Sequence, residues 1–501
     1  MKRLFYLSHR WLGAVFCLFM AMWFISGVVM MYVGYPKLTP AERLERLPSI
    51  SASSLNIGLG QALEACGACG NIKGARITSV SAIPRYVFTL QDDVAVAVDG
   101  QTGQRIANVT AEEAERAVKT FSMAEITFYA GLAQEDAWTH SKALDPHRPL
   151  HVVEAITGGS STLYYVSSRT GEVVRDATRT ERIWNWAGAW IHWLYPVRGG
   201  FLDAQWRNIM ITTSLLATMM ALAGVITGVR RWRFSSRYPN GSRSPYRDIL
   251  TRWHHLSGLT FGVVAFTWIL SGMLSVNPWR VFDSGAKHDG MAYAGGVISA
   301  EKYPADISAL LGRLTIGPKA PKELEWVVFD GKGYLVAFYN QRETMIISGA
   351  GDGPPFERFS FQALEEAGRR YLKGWTVVEK QELEEYDNYY YARAAHTMRG
   401  HFPMRLPVLR LKFNDSHSTW IHLDPYTGSV AGVMDSHKRW HRWLFAFLHS
   451  FDWVPLLKMR PAWDAALIFL SAGGLAISVT GAILGWRRYG RNGRHVLIPL
   501  R

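Results

Sequence analysis

Cysteine is scarce in this sequence, with only three among its 501 residues. So few cysteines exclude a small scaffold that disulfides hold together. The apolar content of 48% excludes a disordered chain, and a mean hydropathy of −0.02 excludes a protein embedded wholly in a membrane. The formal net charge of +14 leaves nucleic-acid binding open until the position of that charge is known.

Four apolar runs contain no charged residue. Each is long enough, as a helix, to cross a hydrocarbon core of roughly 30 Å. The runs extend from Trp11 to Val33, from Ile209 to Val229, from Leu256 to Val276 and from Ala465 to Trp486. They also lack histidine, which argues against a transporter with its metal site in the middle of the membrane.

The positive charge lies in three short segments between or beside these runs. Residues 1–10, 230–253 and 487–501 hold 15 of the 55 basic residues and one of the 41 acidic residues, so the rest of the chain holds 40 of each. This is the positive-inside pattern. It predicts a multi-pass protein of a bacterial inner membrane, with both termini cytoplasmic and segments 34–208 and 277–464 periplasmic. The neutral remainder removes the main support for nucleic-acid binding.

The two halves of the chain match each other without gaps. At an offset of 245 positions, His9, Gly13, Trp23, Ser26 and Gly27 correspond to His254, Gly258, Trp268, Ser271 and Gly272. At an offset of 257 positions, Trp186, His192, Trp206, Gly224, Gly228, Arg230 and Arg231 correspond to Trp443, His449, Trp463, Gly481, Gly485, Arg487 and Arg488. The sequence therefore predicts a tandem duplication that forms an α-helical bundle of four transmembrane helices.

Two symmetric pairs of histidines follow from this duplication. His9 and His254 precede the first and third runs at the cytoplasmic boundary, whereas His192 and His449 precede the second and fourth runs at the external boundary. A b-type haem needs two neutral nitrogen ligands from opposite sides of its iron. The sequence thus predicts two haems b, with the haem irons bound through these four histidines.

Small residues beside the histidines favour the same interpretation. Gly13, Gly27, Gly258 and Gly272 fall on the ligand faces of their helices, where glycine lets a porphyrin approach the backbone. Two plainer roles stay open, because such glycines also permit simple helix contacts and boundary histidines also act as interfacial anchors. His255, adjacent to His254, and His441, before His449, remain rival ligands.

Both external segments combine strand–turn–strand patterns with amphipathic helices, which predicts two α+β domains. Thr110 and Glu113 form a capping box before a helix from Ala111 to Phe121. A hairpin is predicted from Leu163 to Ser167 and from Glu172 to Arg175. In the second segment, a helix is predicted from Phe361 to Leu372.

The duplicated His-Arg-Trp-Leu-Gly start, the histidine before an outgoing helix that ends in Gly-x-x-Arg-Arg, and the Asp-x-x-Thr-Gly hairpins resemble the PepSY-associated transmembrane family. The resemblance covers nearly the whole chain and implies that the external domains are PepSY-like. That family includes iron-regulated inner-membrane proteins and haem-containing ferric-siderophore reductases. It implies His9, His254, His192 and His449 as haem ligands, and electron transfer across the membrane to a periplasmic ferric siderophore, which releases Fe(II) for uptake.

Two further features lie in the external segments. Cys66 and Cys69 form a C-x-x-C without a following histidine, so the motif does not indicate covalent attachment of a c-type haem. A structural disulfide is the expected role of this pair, with a redox-active dithiol as the alternative. Tyr389, Tyr390 and Tyr391 either line a cleft for the ferric chelate or pack on a sheet.

The electron donor must be a quinol or a separate protein. No dinucleotide or Walker signature is present, and no cytoplasmic segment is long enough for the nicotinamide-binding unit of about 30 residues. The alternative function is a PepSY-domain membrane protein that binds or regulates a periplasmic peptidase without haem. In that case the histidines serve only as anchors in the lipid bilayer.

The same patterns predict the boundaries of each segment of the chain. They are 1–10 cytoplasmic, 11–33 first span, 34–181 first periplasmic domain, 182–208 interfacial helix, 209–229 second span, 230–253 cytoplasmic loop, 254–276 third span, 277–437 second periplasmic domain, 438–464 interfacial helix, 465–486 fourth span and 487–501 cytoplasmic tail.

Overall fold

The computed structural model describes residues 2–67, 72–286, 288–398, 400 and 402–496. The helices in chain order are α1 (Lys2–Met30), α2 (Pro40–Arg46), α3 (Leu59–Cys66), α4 (Ala111–Ser122), α5 (Arg179–Ala187), α6 (Ala189–His192), α7 (Trp206–Arg231), α8 (Ile249–Ser275), α9 (Gly290–Ala294), α10 (Ile307–Leu314), α11 (Phe361–Gly368), α12 (Ser436–His441), α13 (Leu448–Ser450), α14 (Val454–Leu457) and α15 (Ala462–Val496). The strands are β1 (Ile72–Val80), β2 (Ile83–Leu90), β3 (Ala95–Asp99), β4 (Ile126–Ala133), β5 (Leu150–Thr157), β6 (Ser160–Ser167), β7 (Val173–Thr178), β8 (Glu323–Phe329), β9 (Lys332–Phe338), β10 (Thr344–Ser348), β11 (Val377–Leu383), β12 (Val408–Phe413), β13 (Trp420–Leu423) and β14 (Val430–Met434).

The chain divides into two compact units. The helical unit contains residues 1–35, 183–284 and 437–501, and the sheet unit contains residues 36–182 and 285–436. The predicted combination of long apolar helices with α+β structure is confirmed. Both external segments lie in one compact unit, whereas the sequence predicts one domain for each segment.

The helical unit is built on α1, α7, α8 and α15, which contain the four apolar runs except for residues 31–33 and 276. All four helices are long and apolar enough to cross a membrane. Helices α1 and α8 each pack against both α7 and α15, so the four form a closed bundle. Each helix begins before its apolar run, and α1 begins at Lys2, so His9 lies inside a helix and not before one.

Between the two ends of the bundle lies an apolar core. Buried side chains from α1, α7 and α8 meet there: Phe16, Met20, Phe24, Ala217, Met220, Ala265 and Ile269. Close van der Waals packing of such side chains stabilises helix–helix contacts, also where lipid surrounds the helices. This core fixes the positions of the helices and hence of the histidines that they carry.

In the sheet unit, the duplication is visible as two copies of one topology. The first copy has a meander of β1, β2 and β3, then helix α4, then a four-stranded antiparallel sheet in the order β4-β5-β6-β7. The second copy repeats this plan with β8, β9 and β10, then α11, then a sheet in the order β11-β12-β13-β14. The predicted capping box of α4 is confirmed, since Thr110 accepts from the backbone of Glu113 and the Glu113 carboxylate binds the backbone of Thr110.

The two copies share one six-stranded sheet in the order β10-β9-β8-β1-β2-β3. Antiparallel pairing of β1 with β8 makes the join, with Ala75 opposite Trp326 and Ile77 opposite Leu324. Trp326 also stacks on Tyr86 of β2 at 5.3 Å between ring centroids. This sheet is the reason that both segments form a single unit.

A cluster of charged side chains crosses the join between the copies. Arg76 of β1 forms a bidentate ion pair with Glu172, with N–O distances of 2.7 and 2.8 Å. Arg76 also reaches Glu323 of β8 at 3.2 Å, and Arg43 pairs with Glu323 at 2.7 Å. The two carboxylates are 6% and 8% exposed, so this network is largely shielded from water.

Candidate functional site

The bundle brings His9 and His254 together at one end. His9 comes from α1 and His254 from α8, and their ring centroids are 6.0 Å apart with an interplanar angle of 31°. The Nδ1 atom of His9 lies 3.1 Å from the main-chain oxygen of Met220. The Nδ1 atom of His254 lies 2.9 Å from Oγ1 of Thr480 on α15. We call this pair the inner site.

His192 and His449 meet in the same way and form the outer site. Their ring centroids are 6.2 Å apart and the rings are nearly perpendicular, with an interplanar angle of 76°. The Nδ1 atom of His192 lies 2.9 Å from Oγ of Ser26. The Nδ1 atom of His449 lies 3.2 Å from Oγ of Ser271 and 3.1 Å from the main-chain oxygen of Trp268.

The hydrogen bonds assign the same tautomer to all four histidines. A main-chain oxygen only accepts, so His9 and His449 must donate from Nδ1. The hydroxyl groups of Ser26, Ser271 and Thr480 each give their proton to a main-chain oxygen one turn earlier, at 2.7 to 2.9 Å. Each hydroxyl oxygen is therefore left to accept a proton from an imidazole Nδ1–H.

This tautomer leaves a lone pair on every Nε2. Within the part of the chain that the structure describes, none of the four Nε2 atoms has a hydrogen-bond partner. Metal-ligating histidines are generally held in this manner, with the other ring nitrogen donating to a protein oxygen that fixes the ring orientation. The four side chains thus have the chemistry of prepared metal ligands.

The spacing of the rings suits one metal ion between each pair. Metal–imidazole bonds are about 2 Å long, and the ring centre lies about 1 Å beyond the nitrogen, so opposed ligands place their centroids roughly 6 Å apart. A structural zinc site would require about four protein ligands, and the described residues hold no group of three or more His, Cys, Asp or Glu side chains arranged for a metal. A haem supplies four nitrogens of its own and needs only the two axial histidines.

Glycines make room for the imidazoles. A Cβ atom on Gly224 would lie 2.6 Å from Cε1 of His9, and one on Gly481 would lie 3.2 Å from Cε1 of His254. At the outer site, a Cβ on Gly272 would lie 3.3 Å from Cε1 of His449, and one on Gly27 would lie 3.9 Å from Cε1 of His192. The two members of each glycine pair are equivalent in the duplication.

Two of the predicted glycines have other surroundings. A Cβ on Gly13 would make ordinary contacts with Met220 and Cys17, at 3.8 and 3.9 Å. A Cβ on Gly258 would meet nothing within 4 Å. These two positions leave free space beside α1 and α8 and do not position a histidine.

The rival histidines are held differently. Both ring nitrogens of His255 are bonded, Nδ1 to Oγ of Ser244 at 2.8 Å and Nε2 to the main-chain oxygen of Gly228 at 2.9 Å. His255 therefore anchors the 230–248 loop to the bundle and has no nitrogen left for a metal. His441 packs edge-on against Phe282, with ring centroids 5.0 Å apart.

The cysteines and the tyrosine cluster belong to other parts of the chain. Cys66 is disulfide-bonded, whereas Cys69 lies outside the described residues. Tyr389 lines an open groove of about 580 Å³ together with Trp420 and Lys412. Tyr390 and Tyr391 are only 2% and 8% exposed, and Tyr390 stacks on His422 at 4.9 Å. Of the three tyrosines, only Tyr389 faces this groove.

Sequence patterns gave no role to several residues that hold the histidines. Two pairs of them are equivalent in the duplication, Ser26 with Ser271 and Gly224 with Gly481. This equivalence is the sequence signal that could have pointed to a role beside the histidines. Thr480 carries no such signal, because its hydrogen bond to His254 depends on the packing of α15 against α8.

Comparison with known proteins adds no assignment. No protein-family model matches the chain, and no curated protein matches it.

Proposed function

We propose that this chain is a dihaem b-type reductase of a bacterial inner membrane that passes electrons across the membrane to a periplasmic ferric chelate. The observation that carries the proposal is the arrangement of the four histidines. Each has its Nδ1 bonded to a protein oxygen, and the two rings of each pair lie 6.0 or 6.2 Å apart. This arrangement is repeated by the duplication at both ends of the bundle.

In this proposal His9 and His254 hold the inner haem, and His192 and His449 hold the outer haem. The bound haems supply the one-electron redox chemistry. The protein fixes ring orientation through Met220, Thr480, Ser26 and Ser271. The apolar side chains between the sites exclude water and hold the two ends of the path in a fixed geometry.

Charge distribution supports the orientation of the chain in this proposal. The basic residues of the 230–253 loop favour the cytoplasmic side for that loop and for the inner site. A quinol or a separate reduced protein donates the electrons there. The acceptor is the ferric ion of a siderophore, which takes up one electron, becomes Fe(II) and is then held weakly enough to be released for uptake.

The sheet unit is where the ferric chelate binds in this proposal. Its groove contains the aromatic rings of Tyr389 and Trp420, which lie 5.0 Å apart between centroids. Lys412 lies 4.6 Å from the centroid of Trp420 and pairs with Glu379 at 3.0 Å, and Arg410 pairs with Asp387 at 2.6 Å, so these basic side chains are balanced by carboxylates. The aromatic rings suit stacking on planar groups of a chelate.

The first experiment is a spectrum of the purified full-length protein, reduced with dithionite minus oxidised, with haem content from the pyridine haemochrome. We expect b-type absorption and two haems per chain. The double variant His192→Ala/His449→Ala should retain one haem, and His9→Ala/His254→Ala should retain the other. His255→Ala is the matched control and should retain both.

A colourless protein from haem-replete cells would contradict the proposal and favour the peptidase-binding alternative. Unchanged haem content in both double variants would contradict the ligand assignment. With haem established, reductase activity is measured as anaerobic formation of Fe(II) from a ferric siderophore, with a coloured ferrous chelator as the reporter.

A further inference from the structure

The two halves differ at one buried position close to the outer site. Asn185 and Arg442 are equivalent at the offset of 257, and each precedes its outer histidine by seven residues. Both are completely buried, with exposures of 0%. The duplication therefore places a neutral side chain in one half where the other half has a positive charge.

In the first half, the chain reaches His192 through a break in the helix. Helix α5 ends at Ala187, and Gly188 has a non-helical backbone before α6 begins. The amide of Asn185 donates to the main-chain oxygen of Gly34 at 2.7 Å, which joins this segment to the end of the first span.

In the second half, the same place is occupied by a π-helical turn over Arg442–Phe447. Single π-helical turns occur preferentially at functional sites. The guanidinium group of Arg442 donates to the main-chain oxygen of Asp452, and the Asp452 carboxylate lies 3.8 Å away. In the first half the residue equivalent to Asp452 is Tyr195, so the ion pair exists only in the second half.

The hydrogen bond from Arg442 to the main-chain oxygen of Asp452 closes the turn that contains His449. Phe451 has a left-handed backbone with a φ of 47°, and its N–H donates to the main-chain oxygen of Phe447 at 2.8 Å. The ring of Phe451 packs on Trp268 at 6.0 Å. The main-chain oxygen of Trp268 in turn accepts the proton of His449 Nδ1.

We propose that Arg442 is a positioning residue for the outer haem, which acts by holding the turn from Phe447 to Asp452 and so aims Nε2 of His449. This inference rests on the proposed function. A buried guanidinium group is costly unless it is bonded, so its presence in one half only indicates a specific task there. The chain segments that bear His192 and His449 are consequently held by different contacts.

The test uses full-length protein that carries only the outer haem, His9→Ala/His254→Ala. In this background, Arg442→Met replaces the guanidinium group by an unbranched apolar side chain. The variant therefore lacks the positive charge and the hydrogen bond to the main-chain oxygen of Asp452. We expect an altered low-spin ferric EPR spectrum, because the ring of His449 turns. Transfer of the haem to apomyoglobin should be about tenfold faster or more, the usual effect of losing a residue that supports a metal ligand.

Arg207→Met is the matched control. Arg207 also donates to main-chain oxygens, those of Val276 and Asn277, but it is exposed. The Arg207→Met variant should have the same EPR spectrum and the same rate of haem transfer to apomyoglobin as its parent. An Arg442→Met protein with the EPR spectrum and transfer rate of its parent would overturn the inference.

If Arg442→Met does not accumulate, Arg442→Lys decides the question, since lysine keeps the charge but donates from a single nitrogen. We expect an intermediate transfer rate, and a rate equal to that of the parent would overturn the inference. Failure of the proposed function is a separate outcome, because the unmodified chain would then contain no haem at all.

Discussion

The ring of His192 lies 6.2 Å from the ring of His449, centroid to centroid, although each comes from a different half of the duplicated chain. Two short helices, α6 and α13, bring these rings together beside α1 and α8. Each of these short helices contacts a long helix of its own half, α6 with α1 and α13 with α8. Packing of the bundle then brings the two histidine rings opposite each other. A histidine pair of this kind forms only when both halves are folded.

The hydroxyl groups at the outer site should contribute similarly in the two halves. His192 is hydrogen-bonded to Oγ of Ser26 and to the backbone of Trp23, and His449 is hydrogen-bonded to Oγ of Ser271 and to the main-chain oxygen of Trp268. Because each imidazole keeps a main-chain partner when the hydroxyl is removed, we expect Ser26→Ala and Ser271→Ala to weaken haem binding by about the same factor, roughly 10-fold or less. Haem transfer to apomyoglobin measures both. A loss of about 100-fold in one variant with none in the other would contradict this prediction.

Gly224 should be required for the inner site. An alanine there would place its Cβ 2.6 Å from the ring of His9, so the imidazole must move. Overpacking of this kind costs about 1 to 3 kcal/mol, and we expect Gly224→Ala to lose the inner haem while the outer haem remains. Gly228→Ala is the control on the same helix, where a Cβ meets only ordinary contacts, the nearest at 3.6 Å. Haem content per chain is the measurement, and two haems in Gly224→Ala would refute the prediction.

His255 should stabilise the 230–248 loop and take no part in haem binding. Loss of its bonds to Ser244 and Gly228 in His255→Ala costs about 1 kcal/mol each. We expect faster trypsin cleavage after the arginines of the loop, Arg233, Arg237 and Arg243, with both haems retained. Loss of one haem together with normal resistance to trypsin would make His255 a ligand and exclude the anchoring role.

The charged cluster in the sheet unit should make the protein sensitive to acid. Burial by itself raises the pKa of Glu172, but Arg76 and Arg43 outweigh it and lower that pKa to about 2. Since the folded pKa lies below the ordinary value of 4.5, the stabilisation is complete above pH 4.5 and is lost as the pH falls from there towards 2. The difference corresponds to about 3 kcal/mol.

The measurement for this cluster is the Tm of the full-length protein between pH 7 and pH 3, followed by circular dichroism. Glu172→Gln should lower the Tm at pH 7 and flatten its decline at low pH. Glu379→Gln is the control, because Glu379 is 49% exposed in its pair with Lys412 and such pairs contribute little. A Glu172→Gln protein with the same pH profile as the unmodified chain would contradict the prediction.

Local sequence was sufficient for several elements of the fold. The absence of charge over four long runs predicts the four long helices, and Thr110 with Glu113 predicts the start of α4. The hairpin predicted around Arg169, Thr170 and Gly171 is the turn between β6 and β7. These features depend on residues close together in the chain, so patterns of a few residues specify them.

Other features depend on contacts between distant segments. The pairing of β1 with β8 joins the two external segments into one unit, and nothing in either strand specifies that partner. The choice between His254 and His255 as the partner of His9 also depends on contacts between distant segments. Both lie at the same end of α8, but only the bundle directs one towards His9 and the other towards the loop.

By itself, the sequence determined that the chain is duplicated, that it has four long apolar runs with cationic segments beside them, and that two histidines of each half occupy equivalent positions. Those properties are repeated or continuous along the chain, so the order of the residues alone reveals them. The tertiary structure alone decided which ring nitrogens are bonded and how far apart the rings lie. It also decided that Arg442 and its equivalent Asn185 are both completely buried. The physical reason is that hydrogen-bond partners and steric limits at these sites come from helices far apart in sequence, so they exist only once the helices pack.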